Sequence, residues 1–290
     1  MSGFLGAGKT TLVRNLLEDA QRRGLRLAVV SNEFGALGID QALLGGDNQD
    51  GYVELEGGCV CCKLSDELVQ TLQGLWERMR PDRVIVETSG VALPFDTLLN
   101  FWREPVSQWV GDSIAVVVVN AEQLAEGRDI EGTFEQQVDS ADLLILNKTD
   151  LVKDTQVETV EAQLNRMAPG TPVIHTINAK VETDVLFPPD PQTLTKRREN
   201  NKQVPPHTHE AFESEEILIE KGIDPDTLLN KVRAYQALRT KGFVRTSKGV
   251  RLLQGVGRRV DLLEPPVQPP ENLIGRIVLI RRSHGPGSIH

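Results

Sequence analysis

The chain has 290 residues, 39% hydrophobic and 25% charged, which is the composition of a globular protein long enough for one large domain or two. Its net charge of −9 argues against general binding to nucleic acid or to anionic membrane, because such surfaces attract basic proteins. The longest apolar run, residues 114–119, is too short for a membrane helix, and nothing resembles a signal peptide, so the sequence predicts a cytoplasmic protein. All three cysteines fall within four residues, which suits metal or thiolate chemistry better than disulfides.

The first dozen residues match the pattern G-x-x-x-x-G-K-[ST] at residues 3–10. In this pattern a loop of backbone N–H groups wraps nucleotide phosphates, the lysine (Lys9) reaches the β and γ oxygens, and the threonine hydroxyl (Thr10) holds Mg²⁺. A helix must begin here so that its N–H groups face the phosphates, and residues 9–23 predict one that stops at Gly24. The pattern therefore predicts a phosphate-binding loop, with a flexible N-terminal turn as the alternative. The residues assigned to the loop are Gly3, Gly6, Ala7, Gly8, Lys9, Thr10 and Thr11.

The strand that normally precedes such a loop is short in this sequence, because only Met1 and Ser2 come before Gly3. Three explanations are open: a truncated chain, a misassigned start, or a sheet that lacks part of its first strand. The loop pattern itself is unaffected by this choice.

Strands and helices alternate from residue 2 to about residue 187, the pattern of an α/β domain with a mostly parallel sheet and helices on both faces. With the loop pattern, this predicts a P-loop NTPase-type domain over residues 1–187. The predicted strands are 25–31, 52–55, 83–87, 113–120, 142–146 and 171–177. A predicted helix after the second of them has Ser65 as its N-cap and runs to Arg80.

Acidic residues follow two of these strands, where P-loop NTPases place the segments that sense the γ-phosphate and its metal. Glu33 lies in Asn-Glu-Phe-Gly at 32–35, and Glu87 opens Glu-Thr-Ser-Gly at 87–90. Glu33 could reach Mg²⁺ directly or through water, or be a solvated loop carboxylate. The candidate catalytic residues are thus Lys9, Glu33 and Glu87, with the Gly90 N–H placed to meet the γ-phosphate.

Three cysteines, Cys59, Cys61 and Cys62, lie between the two acidic segments in a polar stretch that begins with two glycines. Thiolates at this spacing can bind a borderline cation such as Zn²⁺, which prefers four ligands in a tetrahedron. Three ligands from one short loop leave the fourth position open, which suits a site that accepts and releases metal. The alternative is one or two buried structural cysteines and a bystander.

The tetrapeptide Asn147-Lys148-Thr149-Asp150 follows the predicted strand 142–146. A carboxylate at this position can accept two hydrogen bonds from guanine, from N1–H and the exocyclic amine, whereas adenine offers neither in that geometry. N-K-x-D alone is a common surface sequence, but here it stands at a strand's carboxyl end, where open α/β sheets bind ligands. We therefore expect Asn147, Lys148 and Asp150 to form a guanine pocket that residues 178–180 could support.

A proline-rich, polar stretch at 188–206 predicts a linker, and residues 207–290 predict a second unit. Its predicted elements are a strand at 216–220, a helix from Asp224 to Arg239, a hairpin at 242–246 and 250–255, and a strand at 276–281. These elements predict a small α+β domain with helices on one face of an antiparallel sheet. His207 and His209 are two residues apart, but their position beside the linker favours solvated side chains over metal ligands.

Together these motifs resemble the CobW family of P-loop GTPases. The matching stretches are 3–12 (GFLGAGKTTL), 32–35 (NEFG), 57–62 (GGCVCC), 87–90 (ETSG), 147–150 (NKTD) and 241–243 (KGF). The resemblance covers nearly the whole chain, and its most specific part is the C-x-C-C between the two acidic segments. It implies GTP and GDP as nucleotides with Mg²⁺, Zn²⁺ at the cysteines (Co²⁺ in some members), and a client metalloprotein as the partner.

The resulting hypothesis is a GTP-dependent metallochaperone with slow intrinsic hydrolysis, since no residue stands out as a dedicated general base. The alternatives are a GTP-gated switch with redox-active cysteines, cobalt handling for corrinoid synthesis, and a small-molecule kinase. The chain has five histidines and no His-rich stretch, so a metal-storage role is not expected. The sequence specifies neither the client nor the oligomeric state.

Overall fold

The computed structural model of the chain describes residues 1–31, 52–54, 61–88, 97, 99–111, 113–128, 133–188, 212–257, 259–265, 269 and 271–282. At 52–54, 61–65, 99, 212 and 214 it describes the backbone only. The chain divides into two compact units: the first contains Met1–Pro169 and His175–Lys180, the second Gly170–Ile174 and Val181–His290. Within the described residues, no helix is long and apolar enough to cross a membrane.

The described helices and strands follow one another along the chain as the sequence predicts for an α/β region followed by a β-rich one. The helices are α1 (Lys9–Arg23), α2 (Cys61–Met79), α3 (Ala121–Ala125), α4 (Phe134–Asp139), α5 (Asp154–Met167), α6 (Thr183–Leu186) and α7 (Pro225–Ala234). The strands are β1 (Leu27–Ser31), β2 (Tyr52–Glu54), β3 (Arg83–Glu87), β4 (Val116–Asn120), β5 (Leu143–Asn147), β6 (Val173–Thr176), β7 (Phe212–Leu218), β8 (Arg239–Thr246), β9 (Gly249–Val256), β10 (Arg259–Leu263) and β11 (Arg276–Arg282).

Parallel strands form the core of the α/β region. β1 lies between β2 and β3 and pairs in parallel with both, and β4 pairs in parallel with β5 in a second sheet of order β4-β5-β6. Strands β1, β4 and β5 are buried along their full length, as expected for strands covered on both faces. The P-loop NTPase-type fold predicted for this region is confirmed.

Met1 and Ser2 make the backbone hydrogen bonds expected of the short first strand. The Met1 N–H donates to the Val86 carbonyl of β3 at 2.7 Å, and the Thr88 N–H donates to the Met1 carbonyl at 2.9 Å. On the other side, Ser2 exchanges backbone hydrogen bonds with β4, donating to Val116 and accepting from Val118, both at 2.9 Å. The two residues therefore lie between β3 and β4, with Met1 beside the carboxyl end of β3.

Helix α1 has the bounds that the sequence predicts. Its buried side chains recur at helical spacing along one stripe. Gly24 ends the helix in the left-handed conformation, and its N–H donates to the carbonyls of Ala20 and Gln21. The buried members of the stripe are Lys9, Leu12, Val13, Leu16 and Ala20.

Helix α2 begins at Cys61, five residues before the predicted first residue Asp66, so Ser65 lies inside the helix and is not its N-cap. The expected loop at Cys61 and Cys62 is therefore corrected to the first turn of a helix. A single capping residue is a weaker determinant than the packing of the whole apolar face. That face packs against β1, β3 and a later residue; the cluster contains Ala28, Val30, Leu68, Val69, Leu72, Leu75, Val86 and Val106.

At the amino edge of the first sheet, Arg26 precedes β1 and Asp82 precedes β3. The Arg26 guanidinium donates to both Asp82 carboxylate oxygens, at 2.9 and 3.2 Å. These hydrogen bonds hold the pKa of the Asp82 carboxyl below its ordinary value. The pair joins the starts of two neighbouring strands, on the edge opposite their carboxyl ends.

The second unit contains an antiparallel sheet of order β10-β9-β8-β11-β7. Asp224 caps α7 through the Thr227 N–H, with Pro225 in the first turn as predicted. The helix lies on one face of the sheet; their shared cluster contains Ile219, Leu228, Val232, Ala237, Val244, Leu253, Val260, Ile277 and Leu279. This confirms the predicted α+β character, while the boundaries 1–187, 188–206 and 207–290 stay a prediction.

Two details of this sheet differ from the sequence-based expectation. Helix α7 ends at Ala234 and not at Arg239, because the chain turns at Gln236 (φ 49°) and Arg239 already belongs to β8. Strand β10 was not predicted, since its alternation is brief. The predicted strand at 216–220 is β7, which begins at Phe212.

Candidate functional site

The predicted phosphate loop wraps closely around neighbouring backbone and side chains, which explains its glycines. A Cβ on Gly3 (φ 141°) would lie 2.2 Å from the Val118 carbonyl oxygen of β4. A Cβ on Gly8 (φ 106°) would lie 2.3 Å from the amide nitrogen of Asn147. Any other residue at these two positions must displace the strand or the asparagine. Gly6 also has a positive φ, of 75°.

Lys9 lies at the start of α1 and is 4% exposed. Its ammonium donates to the Gly3 carbonyl at 2.9 Å and lies 3.5 Å from the Phe4 carbonyl. The loop is thus closed around its own lysine, the residue that is expected to meet the β and γ oxygens. The first turn of α1 contains no acidic residue, so its N–H groups and positive dipole end favour an anion. Thr10 and Thr11, in the same turn, are half-buried.

Glu87 occupies the carboxyl end of β3 and is 2% exposed. Its neighbour in the parallel register is Ser31, whose hydroxyl donates to the Glu87 carboxylate at 3.5 Å. The next residue, Thr88, is tied to Met1, which leads into the phosphate loop. A buried carboxylate and a serine hydroxyl, together with the Thr10 hydroxyl in the first turn of α1, are hard oxygen donors of the kind Mg²⁺ prefers, so these residues fit that ion.

Asn147 joins three parts of the site with one buried side chain. It ends β5, is 2% exposed, and its amide nitrogen donates to the Ala7 carbonyl of the phosphate loop at 2.8 Å. Its carbonyl oxygen accepts from the Thr176 hydroxyl at 3.1 Å and from the Ala179 N–H at 2.8 Å. Its observed contacts are thus with the protein, and it fixes the phosphate loop against the ends of β5 and β6.

Lys148 and Asp150 lie at the edge of this arrangement. Lys148 adopts the left-handed conformation (φ 62°), and Asp150 is exposed in the short turn Thr149–Leu151. The Thr149 hydroxyl donates to the Thr176 carbonyl at 3.2 Å, which ties this turn to the end of β6. The Asp150 carboxylate is therefore presented on a braced turn beside residues 177–180.

Several predicted site residues fall outside the described part of the chain. These are Glu33 with the rest of 32–35, Cys59, Gly90, His207 and His209. For Cys61 and Cys62 the backbone is described, in the first turn of α2. The convergence of the three sulfurs therefore stays a prediction.

The body of α2 packs against residues 99–111, which come after Glu87-Thr88-Ser89-Gly90 in the chain. Trp76 of α2 and Trp109 stack with ring centroids 4.8 Å apart and planes 2° from parallel. The Trp109 indole N–H donates to the Gln73 amide oxygen at 3.0 Å, and Arg103 forms an ion pair with Asp66. The helix that begins with two cysteines is thus in direct contact with this later segment.

Sequence reasoning missed three polar residues that shape the site: Asn15, Ser31 and Thr176. Asn15 and Thr176 hydrogen bond to the turn at 177–180 or to Asn147, and Ser31 to Glu87. Ser31 and Thr176 are the last residues of buried strands, a position that could have pointed to them. Asn15 gives no such signal, because it is a half-buried polar residue within a helix.

Comparison with known proteins identifies the chain's family. Residues 1–175 match the family model described as CobW/HypB/UreG, nucleotide-binding domain. The chain belongs to the CobW/HypB/UreG family. The resemblance inferred from its motifs is confirmed, and the protein is a GTPase that binds guanine nucleotide.

Relatives of this CobW/HypB/UreG-family chain include proteins that match most of its length. It is 33% identical to the "Zinc chaperone CobW" of Sinorhizobium sp, over 90% of this chain and 85% of that protein. It is 32% identical to the "Zinc-regulated GTPase metalloprotein activator 1" of Schizosaccharomyces pombe, over 63% of this chain and 46% of that protein. The crystal structure of Zn(II)-bound YjiA GTPase from E. coli has the same fold, with 22% identity, 96% and 92% coverage and a TM-score of 0.50.

Proposed function

We propose that this GTPase is a metallochaperone that binds Zn²⁺ through the thiolates of Cys59, Cys61 and Cys62 and passes it to a client metalloprotein. Relatives named as zinc chaperones and as a zinc-regulated metalloprotein activator support metal handling. The observation that carries the proposal is the position of Cys61 and Cys62 in the first turn of α2, a helix packed on the segment that follows Glu87.

A helix N-terminus favours thiolates, because its dipole and N–H groups stabilise negative charge. Zn²⁺ prefers four ligands, so three cysteines leave one position for an exchangeable ligand, such as one from the client. Reduced thiols are needed throughout, which favours action in a reducing compartment such as the cytoplasm.

In this proposal the loop amides and Lys9 hold the GTP phosphates, the Gly90 N–H meets the γ-phosphate, and Asp150 accepts hydrogen bonds from guanine. Asn147 holds the phosphate loop against the turn at 177–180, because its amide nitrogen and its carbonyl oxygen are both hydrogen bonded to the protein. Thr10, with Ser31 and Glu87 as further candidates, would hold Mg²⁺, whose charge would offset that of the phosphates when it is bound. Glu33 and Glu87 are the candidates for orienting water or the metal shell, and Lys148 for shaping the base pocket.

Coupling between the nucleotide site and the metal site follows from chain order and packing. GTP is expected to contact the segments after β1 and β3, and residues 99–111, which follow the second of these, contact α2 through Trp109 and Arg103. A shift of that segment therefore changes the packing of the helix that begins at Cys61. Such a differential contact is what thermodynamic coupling between two ligands requires.

The test is a Zn²⁺ competition titration of the full chain against a chelator, with no nucleotide, with GDP, and with a non-hydrolysable GTP analogue. GTP analogue with Mg²⁺ should tighten Zn²⁺ binding by roughly 5- to 150-fold, and Zn²⁺ should tighten GTP binding by the same factor. Zn²⁺ should bind much more tightly than Co²⁺, following thiolate softness and the Irving–Williams order. This comparison of affinities tests the cobalt alternative.

Serine at Cys59, Cys61 and Cys62 should remove metal and coupling while sparing basal GTP binding. The matched control replaces His207 and His209 with alanine, which should leave Zn²⁺ affinity unchanged. Three identical Zn²⁺ affinities in the three nucleotide states would contradict the chaperone mechanism.

The position of Cys61 and Cys62 also favours a second candidate, a GTP-gated switch whose cysteines are redox-active and carry no metal. The metal content of protein purified under reducing conditions without added metal separates the two. Stoichiometric zinc supports the metallochaperone, whereas metal-free protein whose thiols oxidise reversibly with nucleotide-dependent rates supports the switch.

A further inference from the structure

A side chain of α1 holds the turn that follows β6. The Asn15 amide nitrogen donates to the carbonyl oxygens of Asn178, at 2.9 Å, and Ala179, at 3.0 Å. Both of those residues have positive φ, 54° and 51°, a conformation that residues with a Cβ rarely adopt. Two such residues in succession keep their shape only where surrounding contacts impose it. Asn15 supplies two of these contacts from the phosphate-loop helix.

The peptide group between Asn178 and Ala179 is held from both sides. Its carbonyl accepts from Asn15, and its N–H donates to the Asn147 side chain at 2.8 Å. Asn147 in turn donates to the Ala7 carbonyl of the phosphate loop. Ala179 is fully buried. Two asparagines, one on α1 and one ending β5, therefore fix a single peptide plane beside the turn that carries Asp150.

The direction of these carbonyls bears on which base fits. Asn15 binds both acceptor groups from the α1 side. In the trans peptide between Asn178 and Ala179, the carbonyl that accepts from Asn15 points away from the N–H that donates to Asn147. Guanine carries a carbonyl at C6, which a protein carbonyl would repel, whereas adenine carries an amine there, which a protein carbonyl would attract. Withdrawing both acceptors therefore favours a 6-keto purine.

We propose that Asn15 is a positioning residue for base selection: it pins the 177–180 turn so that its carbonyls face away from the purine. The inference rests on the proposed placement of guanine at Asp150. It concerns the C6 side of the base, whereas Asp150 concerns N1–H and the C2 amine, so the two can be tested apart.

The experiment measures Kd for GDP, IDP and ADP with the full chain carrying Asn15→Ala or Asn15→Asp. Alanine removes both donors, and aspartate keeps the shape but offers only acceptors to the two carbonyls. Each variant should raise Kd about tenfold for GDP and IDP, both of which have the C6 carbonyl, and leave ADP unchanged or tighter. Arg14→Ala, at the exposed neighbouring position, is the control and should alter none of the three. Asp150→Ala should raise Kd for GDP more than Kd for IDP, because inosine lacks the C2 amine.

If Asn15 had a purely structural role, its replacement would loosen α1 and raise Kd for all three nucleotides by the same factor. That result would overturn the inference, and so would an unchanged Kd for GDP. Amide hydrogen exchange in the turn at 177–180 should increase in both variants, and unchanged exchange would also overturn it. If Asn15→Asp does not fold, Asn15→Ala supplies both measurements. A wild-type protein that binds GDP and ADP equally would defeat the guanine site itself, while a selective wild type with an unaltered GDP-to-ADP ratio in Asn15→Ala would defeat this inference alone.

Discussion

The two flanks of the candidate nucleotide site are held together by different kinds of contact. On the base flank, the buried amide of Asn147 joins the phosphate loop to the ends of β5 and β6. On the cysteine flank, α2 meets residues 99–111 through a stack of two half-buried tryptophans and an ion pair between exposed side chains, Arg103 and Asp66.

The difference lies in what it costs to rearrange each flank. Leaving a buried donor or acceptor without a partner costs about 1–3 kcal/mol for each group, so the base flank moves as one piece or not at all. An exposed ion pair contributes less than about 1 kcal/mol, and an aromatic pair about 0.5–1.5 kcal/mol beyond its buried area. The cysteine flank can therefore respond within the 1–3 kcal/mol typical of allosteric coupling, while the base flank keeps its shape.

Lys9→Ala removes the cation of the phosphate loop and should have the largest effect. We expect it to abolish measurable GTP turnover, a fall of at least about a hundredfold, because no other group replaces the ammonium. Because Lys9 is buried and hydrogen bonded to the Gly3 carbonyl, the variant should also lose about 1–3 kcal/mol of unfolding free energy. Urea unfolding and phosphate release measure the two effects, with Arg14→Ala as control. Turnover at the wild-type rate would refute the phosphate-loop assignment.

Asp150→Asn perturbs the base flank alone. The wild type should prefer GTP to ATP at least about a hundredfold, because adenine leaves the carboxylate without its two donors. The variant should shift towards xanthine nucleotides, whose C2 carbonyl can accept from the new amide, while Zn²⁺ affinity without nucleotide stays unchanged. Calorimetry with GTP, ATP and XTP measures these affinities. Equal GTP and ATP affinity in the wild type would be incompatible with the proposed guanine pocket.

Trp109→Ala perturbs the cysteine flank alone. It removes the stack on Trp76 and the hydrogen bond to Gln73, so the Zn²⁺ affinities with GDP and with GTP analogue should converge to a ratio of about one. GDP affinity should not change. Trp102→Ala is the matched control, since this tryptophan is 67% exposed on the same segment. If both variants keep the wild-type coupling, the coupling does not pass through residues 99–111.

The smallest effect is expected at the opposite edge of the sheet, where Arg26 and Asp82 pair. The hydrogen bonds to Arg26 lower the pKa of Asp82 in the folded protein, so the pair adds stability above the unfolded-state pKa, about 4. That contribution disappears as the pH falls through the lower, folded-state pKa. Arg26 is 57% exposed and Asp82 34%, so Asp82→Asn should cost less than about 1 kcal/mol at neutral pH and nothing at low pH. Urea titrations from pH 2 to 7 test this, and GTP turnover should be unaffected.

The regular elements of the first unit were predictable, because their signals are local. Helix α1 has apolar residues at helical spacing and a glycine at its end, and β1 and β5 are short apolar runs. The start of α2 was missed because Ser65 offers a good local cap, while the apolar face of the helix packs against residues far along the chain, which local signals do not carry.

The main predicted motifs of the site were visible in the sequence, but the contacts that support them were not. The phosphate loop and Asn147-Lys148-Thr149-Asp150 are recognisable because chemistry restricts their residue types. That Asn15 would reach residues 178 and 179, or that Asn147 would reach Ala7, depends on how distant segments meet, and neither periodicity nor composition carries that information.

The tryptophans have a practical consequence. The chain has three, and all of them lie on α2 or residues 99–111: Trp76, Trp102 and Trp109. Indole emission of the native protein therefore originates entirely from the cysteine flank, so stopped-flow fluorescence can follow that flank without any attached dye. Trp102 is accessible to a soluble neutral quencher such as acrylamide, whereas the stacked pair is half-buried and less accessible, with the Arg80 guanidinium 4.6 Å from the Trp76 ring centroid. Quenching experiments with GDP, with GTP analogue and with Zn²⁺ can thus time the two populations of indoles separately in unmodified protein.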